Sequence, residues 1–128
     1  MVEHDKNNYR ILIVDDDEVH RIILREILGS KAIIEECANG VEALSRIHHA
    51  KQYDLVITDI NMPFLSGIEL AKICNYYFPE LSFILTSISA DAYLTSKINI
   101  PIVKTFLPKP IKEKILLGFV DGILFGMI

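Results

Sequence analysis

The sequence predicts an α/β fold, (βα)5, in which a five-stranded parallel sheet is covered by helices on both faces. Three observations predict it. Short apolar runs rich in β-branched residues recur along the chain, and such runs suit strands buried on both faces. Each run is followed by a segment that reads as a helix, so the order is β-α five times over. The polar residues that need explaining stand directly at the ends of the runs: Asp15 and Asp16, Asp59, Thr86 and Ser87, and Lys109.

Each element has its own grounds. Residues 1–9 are a polar lead-in, and 10–128 read as one domain, since there is no internal repeat, linker or low-complexity tract. Residues 10–14, Arg-Ile-Leu-Ile-Val, form the first strand and end in three aspartates, of which Asp17 directly precedes a helix and suits its N-cap. Residues 18–28 carry Val19, Ile22, Ile23, Ile27 and Leu28 at helical spacing, with Gly29-Ser30 as a stop. Residues 32–37 are a second strand closed by Asn39-Gly40, and 41–50 a short helix on Val41, Leu44 and Ile47. A third strand, 54–58, ends at Asp59, and Pro63 marks the stretch Asn61-Met62-Pro63 as a loop. Helix 67–77 uses Ile68, Leu70, Ala71 and Cys74. Strand 81–86, a weaker helix at 90–98, strand 102–107 and a last helix from near Ile111 complete the pattern.

Composition narrows the function classes. The chain has 128 residues, 51% of them apolar, which excludes a disordered or collagen-like chain. A domain of this size buries about two thirds of its unfolded surface and needs no staples. The net charge of −4 gives no footprint for nucleic acid. Cys37 and Cys74 are too few for a disulfide scaffold or a four-cysteine zinc site and read as small buried hydrophobes. The polar start is no secretory signal, so a cytoplasmic location is expected.

The strand-end residues carry the chemistry. In a parallel sheet every C-terminal strand end lies on one edge, and ligands bind where the strand order reverses. If the first and third strands are neighbours, Asp15, Asp16 and Asp59 share one pocket. Three carboxylates together repel, and a hard divalent cation such as Mg²⁺ relieves this. A lysine and a hydroxyl beside such a cation make a site for a phosphoryl group, with one carboxylate as nucleophile.

At these residues the sequence resembles the receiver domains of two-component response regulators, the CheY-like superfamily. The matching segments are Ile-Leu-Ile-Val-Asp15-Asp16-Asp17, Asn39-Gly40-Val41-Glu42-Ala43-Leu44, Tyr53-Asp54-Leu-Val-Ile-Thr-Asp59-Ile60-Asn61-Met62-Pro63, Ser66-Gly67, Thr86-Ser87 and Lys109-Pro110. The resemblance spans roughly 10–125, nearly the whole chain. It implies a doubly wound, flavodoxin-like sheet of strand order 2-1-3-4-5. It implies Asp59 as phosphoacceptor, Asp15 and Asp16 as the acidic pair for Mg²⁺, and the Asn61 backbone carbonyl as a further ligand. Thr86 would then bond a phosphoryl oxygen, and Lys109 would pair with Asp59 and afterwards with the phosphate. Pro110 is implied to follow a cis bond. Phe106 stands where the family often has a Tyr or Phe that turns inward on activation; without a hydroxyl it signals by burial alone. The implied donor is a phosphohistidine on a sensor histidine kinase or histidine phosphotransfer protein, and the implied output a shift in the face of the fourth helix, fifth strand and fifth helix. The implied protein is no enzyme beyond its own phosphorylation and dephosphorylation.

Some residues depart from the family pattern. Asn99-Ile100-Pro101 replaces the usual Gly-Ala before the fifth strand, and Asp59 to Thr86 is a short interval. Pro108 removes a backbone donor from the end of the fifth strand. Two rivals stand beside the receiver reading. A phosphohydrolase with an Asp nucleophile usually has an acid/base Asp two residues later, where this chain has Asn61. The other is a receiver-fold binding module whose site is seldom used.

His20, His48 and His49 lie on helices without paired ligand spacing and suit solvated faces. From Ile115 to Ile128 the only charge is Asp121, while Gly118, Gly122 and Gly126 recur every fourth residue. As one helical stripe they would let a second helix approach closely, in a homodimer or a partner. The run is too short to cross a membrane. It also contributes to a mean hydropathy of +0.33.

Overall fold

The computed structural model describes residues 9–50, 52–88 and 99–126. The strands are β1 (Arg10–Val14), β2 (Ile33–Cys37), β3 (Leu55–Asp59), β4 (Ser82–Ser87) and β5 (Val103–Pro108). The helices are α1 (Glu18–Leu28), α2 (Gly40–Ala50), α3 (Gly67–Tyr77) and α4 (Glu113–Phe125). The helix expected at 90–98 lies outside the described residues. The strands form one sheet in the order β2-β1-β3-β4-β5, with every neighbouring pair parallel. The reversal of strand order falls between β1 and β3.

Two apolar layers sandwich the sheet, because alternate strand residues point to opposite faces. Leu12, Val14, Val56, Phe83 and Leu85 pack on one side with Ala43 and Ile47 of α2 and Leu70, Ala71 and Cys74 of α3. Ile11, Ile13, Leu55, Ile57 and Ile84 pack on the other with Leu24 and Leu28 of α1 and Leu116, Val120 and Leu124 of α4. The central strands are therefore apolar on both faces, as their continuous runs require.

Two helix faces differ from the expected ones. Val19, Ile22 and Ile23 of α1 are 64%, 49% and 47% exposed, and the buried line is His20, Leu24 and Leu28, spaced four residues apart. His20 is thus no solvated histidine: it is 8% exposed. In α2 Val41, expected on the apolar face, is exposed, and Gly40, Ala43 and Ile47 are buried. His48 and His49 are exposed as expected, and Cys37 and Cys74 are buried.

Helix starts are fixed by local hydrogen bonds. The Asp17 carboxylate accepts from the Val19 N–H at 2.9 Å and caps α1. Ser66 and Glu69 form a reciprocal capping box at α3. Gly67, the first residue of α3, lies against the end of β3. A Cβ there would sit 2.2 Å from the Asp59 carbonyl oxygen and 2.9 Å from its carbon, both backbone atoms that cannot yield cheaply. Gly67→Ala is therefore expected to cost about 2 kcal/mol as α3 is pushed off the sheet edge. Urea unfolding measures this, and an unchanged midpoint would contradict it.

The C-terminal helix corrects the glycine stripe. α4 ends at Phe125, and Gly126 is its C-cap, with φ 65° in the left-handed region that glycine enters without a steric penalty. The Gly126 N–H donates to the Gly122 carbonyl. A helical line of three glycines does not form. Much of the apolar surplus is used within the chain: Leu117, Phe119, Ile123 and Phe125 pack, partly buried, against the α1–α4 layer. Phe125 meets Tyr9 edge to face at 5.0 Å between ring centroids. Asp121 pairs with Lys31 at 3.0 Å. Among the described residues no helix is long and apolar enough to cross a membrane.

Candidate functional site

The C-terminal edge of the sheet gathers the strand-end residues. Asp15 follows β1, Asp59 ends β3, Thr86 lies in β4 opposite Asp59, and Lys109 follows β5. The ladder delivers this alignment, because the register pairs Asp59 with Thr86 and Ser87 with Pro108. Pro108 has no N–H, and the ladder continues one residue on: the Lys109 N–H donates to the Ser87 carbonyl at 2.8 Å. The Lys109–Pro110 bond is cis.

Lys109 joins the two buried carboxylates. Its Nζ donates to Asp15 Oδ2 at 2.9 Å and to Asp59 Oδ2 at 3.2 Å. Carboxylate oxygens of Asp15, Asp16 and Asp59 all lie within 4.8 Å of one another; Asp15 and Asp59 are buried and Asp16 is exposed. The hard oxygen donors and the excess of negative charge suit Mg²⁺, with Asp16 open to solvent where the cation would keep its waters. Asn61, on the loop after β3, donates its backbone N–H to Asp59 Oδ1 at 3.3 Å. Its side-chain amide donates to Ser87 Oγ at 3.2 Å, linking the β3 and β4 ends.

Thr86 is 1% exposed, and its hydroxyl has no hydrogen-bond partner among the described residues. A buried hydroxyl without a partner carries a desolvation cost that an incoming oxyanion would remove. Phe106 in β5 is half-buried against the α2–α3 layer, with Leu85, the residue before Thr86, as its strand partner.

The electrostatics follow from burial and partners. Burial works to raise the Asp15 carboxyl, but hydrogen bonds from His20, the Asp17 N–H and Lys109 outweigh it and hold it below the usual range. Burial and the like charge of Asp15 push the Asp59 carboxyl up, against the pull of Lys109. For Lys109 burial works to lower the ammonium, and the two carboxylates more than reverse it. The result is an ionised Asp15–Lys109 pair beside a carboxylate that gains from further positive charge.

One residue here escaped the sequence reading. His20 Nδ1 lies 2.5 Å from Asp15 Oδ2. The available signal was the four-residue spacing of His20, Leu24 and Leu28, which puts the imidazole on the buried line of α1 directly below the β1 end.

Known proteins resemble this chain in sequence and fold. The model of the response regulator receiver domain matches residues 11–121. The uncharacterized transcriptional regulatory protein YesN of Bacillus subtilis is 33% identical over 121 residues, covering 91% of this chain and 32% of that protein. The 3',5'-cyclic-nucleotide phosphodiesterase regA of Dictyostelium discoideum is 34% identical over 127 residues, covering 95% of this chain and 16% of its own. The chain thus spans a third or less of the length of these two curated relatives. Among solved structures, the signal receiver domain of an HD domain-containing protein from Pseudomonas fluorescens Pf-5 superposes with a TM-score of 0.83 at 26% identity, covering 92% of this chain and 95% of that one.

Proposed function

The chain belongs to the response regulator receiver domain family, and on that premise we propose that it accepts a phosphoryl group on Asp59. The observation that carries this reading is the convergence of Asp15, Asp59 and Lys109 beside the Thr86 hydroxyl, which has no partner among the described residues. The donor is a phosphohistidine on a sensor histidine kinase or a histidine phosphotransfer protein. An Asp59 carboxylate oxygen attacks phosphorus in line, a P–O bond forms, and the P–N bond to the donor imidazole breaks. Lys109 leaves its bridge to Asp59 and meets a phosphoryl oxygen, and the Thr86 hydroxyl donates to another. Asp15, Asp16, Asp59 and the Asn61 carbonyl would hold Mg²⁺, which when bound neutralises charge on the transferring group. Water later attacks the acyl phosphate at the same site and returns Asp59 to the carboxylate.

The output is a population shift. Thr86 and Phe106 are the proposed switch residues: they lie on the paired strands β4 and β5, so drawing Thr86 toward the phosphate shifts the end of β4 against the strand that carries Phe106. Phosphorylation shifts the equilibrium by its differential free energy for the two states. The partner contacts follow from that shift at the face that includes β5 and α4.

Incubation with acetyl phosphate and Mg²⁺ followed by intact mass spectrometry tests the reading. One phosphoryl group adds about 80 Da, and the gain disappears in chelator. Phosphate release from external phosphomonoesters that are no donors to a receiver would favour the phosphohydrolase, and no modification with any donor would favour the binding module. Asn61 in place of a second acid/base Asp supports the acceptor over the phosphohydrolase.

A further inference from the structure

Among the described residues four polar groups converge on Asp15, and two of them, Arg21 and His20, have no role assigned so far. Oδ1 accepts from the Asp17 N–H at 2.9 Å, and Oδ2 accepts from Lys109 Nζ at 2.9 Å. The Asp15 carbonyl accepts from the Arg21 guanidinium at 2.6 Å. The fourth group is the imidazole of His20, whose Nδ1 faces Oδ2 at 2.5 Å. The Asp15 carboxylate already accepts from the Asp17 N–H and the Lys109 ammonium and is read as an acceptor here too, so the proton of this contact is assigned to Nδ1. Among the described residues Nε2 is buried without a partner. The Asp15 contact is therefore what fixes the ring's orientation through hydrogen bonding.

We propose that His20 is a positioning residue for Asp15, whose Nδ1–H holds the carboxylate in the orientation that the divalent-cation site requires. This rests on the phosphoacceptor reading. The grounds are geometric. Lys109 shares Oδ2 with His20, and in the proposed transfer Lys109 moves away to the phosphoryl group. Among the described residues the Asp15 side chain would then keep the Asp17 N–H on Oδ1 and no donor on Oδ2 unless a second one stays in place. His20 is that donor, and its place on α1 does not change when Lys109 moves. It enters the site because it is third in the helix: Asp17 caps α1, and the side chain of residue 20 points back toward the β1 end. Arg21, next on the same turn, grips the Asp15 backbone, so one helical turn fixes both the carbonyl and the carboxylate of this residue. Donors to ligating carboxylates tune metal affinity about as strongly as the outer partners of other ligands do.

The test titrates Mg²⁺ into wild type, His20→Asn and His20→Leu by calorimetry. Asn places an amide N–H near the position of Nδ1, and Leu fills the same space without a donor. His20→Leu is expected to bind Mg²⁺ about tenfold more weakly, and His20→Asn to stay within about threefold of the wild type on the same scale. A ¹⁵N-imidazole spectrum of the metal-free wild type is expected to show a protonated Nδ1, a measurement that needs no variant to fold. Wild-type affinity in His20→Leu, equal weakening in both variants, or an unprotonated Nδ1 would overturn the proposal and leave the Asp59 reading standing. A wild type that binds no Mg²⁺ would overturn both. Weakened Mg²⁺ binding in His20→Leu with no modification of Asp59 by any donor would overturn only the phosphoacceptor reading.

Discussion

In metal-free buffer Lys109→Met is expected to lower stability by about 3 kcal/mol, because it strands two buried carboxylates that share one cation. For a domain of this size that is a drop in thermal midpoint of roughly 12 °C. Met keeps the length and most of the apolar stem, so the loss isolates the charge. The ammonium lies 2.9 Å from Asp15 and 3.2 Å from Asp59, and both carboxylates are buried. Without it Asp15 and Asp59 repel at close range in a site with little water to screen them. Added Mg²⁺ should recover much of the difference, since a cation at a hundredfold excess over its dissociation constant contributes about 2.7 kcal/mol. Calorimetric melts with and without chelator measure both effects. A Lys109→Met protein that melts with the wild type in chelator would contradict the account.

Asp59→Asn is expected to abolish phosphorylation and, at neutral pH, to stabilise the metal-free protein. The Asp59 carboxyl sits above its ordinary value because of burial and of Asp15 beside it. A carboxyl raised on folding binds its proton more tightly in the folded state. Stability therefore falls as pH rises from the ordinary carboxyl value through the folded one, and the full penalty is present above it. Asn carries no such penalty. The variant should match the wild type near pH 3 and melt higher than it near pH 7. Asp15 has the opposite sign. Its carboxyl is held low, so the stability it contributes is present above the ordinary value and lost as pH falls through the folded value. Both proteins should keep that acid limb. Thermal midpoints across this pH range decide the matter, and a constant difference at every pH would contradict it.

The site was legible in the sequence through its β-strand ends. A parallel sheet places every C-terminal strand end on one edge, so Asp15, Asp59, Thr86 and Lys109 had to meet once the alternation was read. Element boundaries shifted by a residue or two, as at β3, which closes on Asp59 and not before it. The helix faces were harder. α1 carries apolar residues on both sides, and three large ones, Val19, Ile22 and Ile23, face solvent. A hydrophobic count therefore mixed these three with Ile27 and Leu28 of the core side, and the buried line of His20, Leu24 and Leu28 was hidden by its one polar member. Spacing also misled at Gly126. Small residues every fourth position suggest a helix contact, but glycine also ends helices in the left-handed region, and backbone geometry rather than spacing separates the two.

The central claim is that Asp59 is the acceptor, and fluoroberyllate tests it independently of the donor and of the lifetime of any acyl phosphate. This tetrahedral phosphoryl mimic coordinates a free carboxylate oxygen. With Mg²⁺ present, the account predicts a set of bound ¹⁹F resonances in the wild type, their absence in Asp59→Asn, and their loss when Mg²⁺ is chelated. Bound resonances that persist in Asp59→Asn would place the acceptor elsewhere and contradict the account.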